Sequence, residues 1–79
     1  MARETPLETV PLGTTVVLGP GGASEQACRR LVTLGLRPGV AFRVLARTVG
    51  GGRVAQVGET RIALGASLCR ELRVEVPSA

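Results

Sequence analysis

Lysine, aspartate, asparagine, histidine, tyrosine and tryptophan are all missing from this chain of 79 residues, and phenylalanine occurs once, as Phe42. Without His or Asp, a Ser or Cys nucleophile lacks its usual base and orienting partner, and the six Glu are scattered. An enzyme is not expected. Cysteine is nearly as scarce. Cys28 and Cys69 lie far apart, with no C-x-x-C or H-E-x-x-H spacing. Both read as small apolar fillers rather than metal ligands, nucleophiles or a disulfide. No apolar run is long enough to span a membrane, and the first residues lack the apolar stretch of a secretory signal. A cytoplasmic protein is the expectation.

What remains is Val, Leu, Ala, Gly and Arg. Every positive side chain is Arg, and the net charge is +4. This composition also follows from GC-rich coding, so the charge alone is weak evidence for nucleic acid. The Arg residues are dispersed, and no aromatic platform accompanies them. A small basic nucleic-acid-binding barrel therefore ranks last among the readings. A chain this short forms one domain, here residues 1–79, with a thin core worth only ~3–5 kcal/mol. Association between copies would add burial, which makes a homo-oligomer a further expectation.

The most specified stretch runs from Ser24 to Gly39. Ser24 suits an N-cap, with Glu25 in the positive first turn. Ala27, Leu31 and Leu34 form one apolar stripe, with Cys28 beside it. Gly35 supplies a left-handed stop, and Leu31 and Leu36 take the positions that a Schellman ending brings together. Pro38 and Gly39 fit the two corners of a type II turn.

Strands flank this unit. Thr14–Leu18 is β-rich. Val40–Val49 alternates Val40, Phe42, Val44 and Ala46 against Arg43, Leu45 and Arg47. Gly50–Gly52 connects to Arg53–Val57, and Gly58-Glu59 suits a II′ hairpin into Thr60–Leu64. Gly65–Arg70 reads as one helical turn before a closing strand, Leu72–Val76. Thr5–Gly13 is a lead-in. Gly19–Gly22 reads as a flexible loop, because the spacing and Lys of a phosphate loop are missing. The predicted fold is mainly β. It is a small SH3-like five-stranded barrel with one helix after the first strand and a short helical turn before the last.

The ordered set Leu31, Leu34, Gly35, Leu36, Pro38, Gly39, then Val40, Phe42 and Val44, resembles the signature of the ferrous iron transport protein A family. Gly58, Ile62 and Leu64, then Cys69, Leu72 and Val74, match its later half. Leu7, Leu12 and Gly13 match its opening, so the resemblance covers nearly the whole chain. It implies a bacterial, cytosolic, non-enzymatic accessory of ferrous iron uptake. Its implied partner is a membrane ferrous-iron transporter with a cytoplasmic GTPase part, which would hold it at the inner face of the membrane. The same fold forms the C-terminal domain of some metal-dependent repressors, so a transition-metal-responsive regulatory domain is the alternative. The family is also linked to transition-metal binding. Here no ligand set is visible, and only Glu or contacts between subunits would supply donors. No cofactor is expected. Leu31, Leu34, Gly35, Pro38 and Gly39 are explained by fold geometry. Partner binding is expected of Arg29, Arg30, Leu36, Arg37 and Arg43, the apolar side chain serving as anchor.

Overall fold

The structure, a computed structural model, describes residues 4–76. Its elements are β1 (Glu4–Pro6), a 3₁₀ turn (Leu7–Thr9), β2 (Thr15–Leu18), α1 (Glu25–Val32), β3 (Ala41–Arg47), β4 (Arg53–Val57), β5 (Thr60–Leu64), α2 (Ala66–Glu71) and β6 (Arg73–Glu75). All six strands form one antiparallel sheet in the order β1-β6-β2-β3-β4-β5. The two edge strands do not pair with each other. α2 leaves β5 and packs on β1 and the 3₁₀ turn, so it spans the gap between the edges.

The mainly β class holds, with one strand more than the five expected. The extra strand, β1, overlaps the start of the lead-in. Pro6 is compatible with it because β1 is an edge strand and loses no inner ladder bond. β4 and β5 coincide with their predicted spans. β3 is shorter than predicted, because Val40 belongs to the preceding turn and Thr48 to the following one, and Leu45 is the extra residue of a bulge between the pairs Val44↔Ala55 and Ala46↔Val54. After Arg47 the chain turns, with Gly51 N donating to Thr48 O at 3.2 Å and Thr48 N to Gly52 O at 3.0 Å.

The helix, stop and turn form as the sequence specifies. Ala27 N donates to Ser24 Oγ at 3.1 Å. Leu36 N donates to Leu31 O and Gly35 N to Val32 O, both at 3.0 Å, which are the two bonds of a Schellman ending. Gly35 has φ +89°, and Leu31 and Leu36 are both fully buried. Val40 N donates to Arg37 O at 3.0 Å, closing the turn around Pro38 and Gly39. Gly39 N also donates to Leu18 O at 3.0 Å, so the turn is pinned to the end of β2.

Around Phe42 the core is aliphatic. Val16, Leu18, Val44, Ile62, Leu64 and Val74 enter from the strands, and Leu7 and Val10 from the lead-in. The Gly19–Gly22 segment is hydrogen-bonded rather than free. Gly22 N donates to Gly19 O at 2.9 Å, and Gly22 O accepts from Arg73 N at 2.7 Å. Among the described residues one charged side chain is inside: Arg53 is 7% exposed.

Candidate functional site

α1 ends in two exposed arginines, Arg29 and Arg30, where the negative end of the helix dipole favours cations. Arg37 is exposed in the connection to β3. Uncovered apolar side chains accompany them: Val32 is 50% exposed and Leu34 is 40% exposed.

Two expectations for this surface change. Leu36 is not available to a partner. The Schellman ending that defines the motif turns it inward against Leu31, at 0% exposure. Leu34, assigned to packing, instead faces outward, because it follows the last residue of α1 and lies beyond the buried stripe of Ala27 and Leu31. The exposed apolar side chains at this end of α1 are thus Val32 and Leu34. Arg43 stands apart. It sits on β3 opposite Thr15 and Gln56, and its Nε donates to Gly13 O at 3.1 Å.

Between α1 and α2 runs an open cleft that sequence reading did not find. Its wider lobe, about 470 Å³, is lined by Arg30, Thr33 and Leu34, by Ala63 at the end of β5, and by Ala66 and Leu68 of α2. A narrower lobe of about 170 Å³ continues past Ser24 and Ala27 on one side and Ser67 and Glu71 on the other. The only sequence signal for it was a run of small residues, Gly65-Ala66-Ser67, which leaves the first turn of α2 low.

Among the described residues, no three His, Cys, Asp or Glu side chains converge. Both cysteines are free thiols. Cys28 is half-buried, with its Sγ toward Ala23 O at 3.8 Å. Cys69 is fully buried and donates to Leu64 O at 3.5 Å. Burial pushes the Cys69 thiol above its ordinary range, and the nearby Arg53 guanidinium opposes this with a smaller effect. A raised thiol contributes stability that is present below the unfolded thiol's pKa and lost as pH rises through the folded one. The wild type is therefore expected to lose stability relative to Cys69→Ala between neutral pH and about pH 10. Urea melts at the two pH values check this, and parallel loss in both proteins would refute it.

No helix of the described residues is long and apolar enough to cross a membrane. No curated protein sequence matches the chain. Among solved structures, a crystal structure described as the iron uptake regulatory protein FeoA aligns at 28% identity and a TM-score of 0.76, covering 91% of this chain and 95% of its own. The Stenotrophomonas maltophilia FeoA, solved with zinc, is described as a prokaryotic SH3 domain protein and a candidate ferrous iron transport activating factor. It aligns at 33% identity and a TM-score of 0.61, covering 94% of this chain and 88% of its own. A manganese-dependent transcriptional repressor shares the fold at 20% identity and a TM-score of 0.80; 99% of this chain lies on only 44% of that one. The described fold is accordingly SH3-like. The FeoA domain model matches residues 5–76, which takes in both helices and the whole sheet except Glu4, and the chain belongs to the FeoA domain family.

Proposed function

We propose that this protein is a cytoplasmic, non-enzymatic accessory of ferrous iron uptake that docks on the cytoplasmic GTPase part of a membrane ferrous-iron transporter. The observation that carries this reading is the FeoA domain match over residues 5–76. The surface chemistry supports it. Arg29, Arg30 and Arg37 steer an acidic partner and set its register, while Val32 and Leu34 supply apolar area that charge alone does not.

Calorimetric titration against the soluble cytoplasmic part of the transporter tests the assignment. The Arg29→Glu, Arg30→Glu, Arg37→Glu triple variant is expected to bind at least about tenfold more weakly, about 1.4 kcal/mol. Wild-type affinity is expected to fall as salt rises, because exposed charges are screened. Undiminished binding by the triple variant would remove these arginines from the interface. No binding by the wild type would remove the proposal.

A second reading is a metal-responsive regulatory domain. It is favoured by the overlap of nearly the whole chain with part of the manganese-dependent repressor. Stoichiometric, micromolar binding of Fe²⁺ or Mn²⁺ in calorimetry would move the assignment there.

A further inference from the structure

Two surface residues stand outside the docking reading: Leu12, 46% exposed, and Arg43, which is separate from the arginines of α1. The register Thr15↔Arg43 and Val17↔Ala41 puts the residues before Thr15 and those after Arg43 at one end of the sheet. Two turns project there. In one, Thr14 N donates to Pro11 O at 3.3 Å and leaves Leu12 at the tip. In the other, Thr48 N donates to Gly52 O at 3.0 Å and leaves Val49 fully exposed. Both turns are fixed from behind. Gly13 N donates to Val44 O at 2.6 Å, and Gly13 O accepts from Arg43 Nε at 3.1 Å. Arg53 donates to Gly51 O and Gly52 O in the second turn. Apolar tips held this way lose little freedom on binding.

The charge at this end is positive. From Gln26 to Gly58 the chain has six arginines and no acidic residue. Arg43 and Arg47 are exposed, and Arg53 beneath them donates to backbone carbonyls rather than to a carboxylate. Glu8, exposed on the 3₁₀ turn, brings one carboxylate against these three cations. Arg47 stands two residues behind Val49, at most about 7 Å along the chain. That offset matches the depth of about 5–10 Å to which interfacial apolar groups sink into a bilayer. Nucleic-acid phosphates would take the arginines but give Leu12 and Val49 no apolar surroundings. We propose that this end of the sheet rests on an anionic phospholipid bilayer, with Leu12 and Val49 entering the interface and Arg43 and Arg47 pairing with lipid phosphates. The contact is weak and reversible, since even one acyl chain anchors a protein only marginally. It orients a protein that a membrane partner already holds nearby, and it is detectable without that partner.

Co-sedimentation with vesicles of equimolar phosphatidylglycerol and phosphatidylcholine tests this. The wild type is expected to pellet with them, not with pure phosphatidylcholine, and to be released as salt rises. Arg43→Gln with Arg47→Gln is expected to lower partitioning roughly twentyfold, about fivefold for each charge. Leu12→Ser with Val49→Ser is expected to lower it roughly tenfold. Arg70→Gln with Arg73→Gln removes the same charge from exposed positions near the start of β6, at the opposite end, and is expected to change it less than about twofold. Far-UV circular dichroism melts confirm that each variant is folded. Wild-type partitioning in both of the first two variants, or an equal loss in the third, overturns the assigned end. No pelleting by the wild type overturns the lipid proposal and leaves docking standing. Weakened binding of the transporter's soluble part, or of DNA, by Leu12→Ser with Val49→Ser would then assign the same residues to that partner.

Discussion

Arg53→Met is expected to remove about 3–5 kcal/mol of stability, as much as a domain of this size commonly possesses. Arg53 is a clamp between two segments that no strand ladder joins. Its Nη1 donates to Gly51 O at 3.0 Å and Gly52 O at 2.9 Å, and its Nη2 to Glu8 O at 2.8 Å. One guanidinium thus closes the glycine connection between β3 and β4 and ties it to the 3₁₀ turn of the lead-in. Hydrogen bonds to a charged donor are worth about 1.5–3 kcal/mol each, and only the Gly52 carbonyl bond is fully buried. The buried Nε has no acceptor among the described residues, which lowers the net gain. Methionine keeps most of the stem volume but donates to none of the three carbonyls, of which Gly52 O keeps its bond from Thr48 N. Arg53→Lys is expected to recover less than half of the loss. Its compact ammonium cannot span both segments as the planar fork does. Urea denaturation followed by far-UV circular dichroism is the measurement, since the chain has no Trp or Tyr to report by fluorescence. A wild-type midpoint in Arg53→Met would show that the clamp holds nothing.

Gly22→Ala is expected to cost about 3 kcal/mol or more, although Gly22 has an ordinary backbone conformation. The reason is contact. A methyl at Gly22 would land on the backbone carbonyl of Arg73 and within 2.9 Å of Gly19 O. Neither atom belongs to a flexible side chain, so the loop or β6 must move. That movement breaks the Arg73 N to Gly22 O bond and the Gly19 N to Arg73 O bond, which tie the β2–α1 loop to the start of β6. Gly21→Ala is the control. Gly21 has φ +75° with open space around it, so alanine there costs only about 1 kcal/mol of backbone strain. The order of the two losses is diagnostic. If Gly21→Ala is the more damaging, backbone conformation and not close approach governs this loop.

Both effects concern residues whose importance was hidden in one dimension. Arg53 opens a strand and looks like any of nine other arginines. Its burial follows from where the lead-in crosses the glycine connection, 45 residues away in sequence. Gly22 sits among loop glycines and, unlike Gly21, owes its constraint to the β6 carbonyl against it rather than to a positive φ. The surface around α1 divides in the same way. Arg29 and Arg30 lie in the last turn of α1, and Arg37 follows its stop, by local sequence. The cleft beside them needs Ala63, Ser67 and Leu68 from the far half of the chain.

Leu36 shows the boundary most clearly. The sequence alone determined the Schellman ending, because its bonds span five residues and Gly35 removes the steric penalty at the stop. It also determined the type II turn, the II′ hairpin and the spans of β4 and β5, where neighbours in the chain interact directly. The exposure of each side chain was decided elsewhere. The same motif that ends the helix buries Leu36 under it and leaves Leu34 outside, and only the sheet beneath α1 makes that difference. The bulge at Leu45, the extra strand β1 and the burial of Arg53 likewise depend on pairing and contact between distant segments. Local backbone energetics set the elements and their ends; packing between elements set which residues are core, clamp or exposed surface.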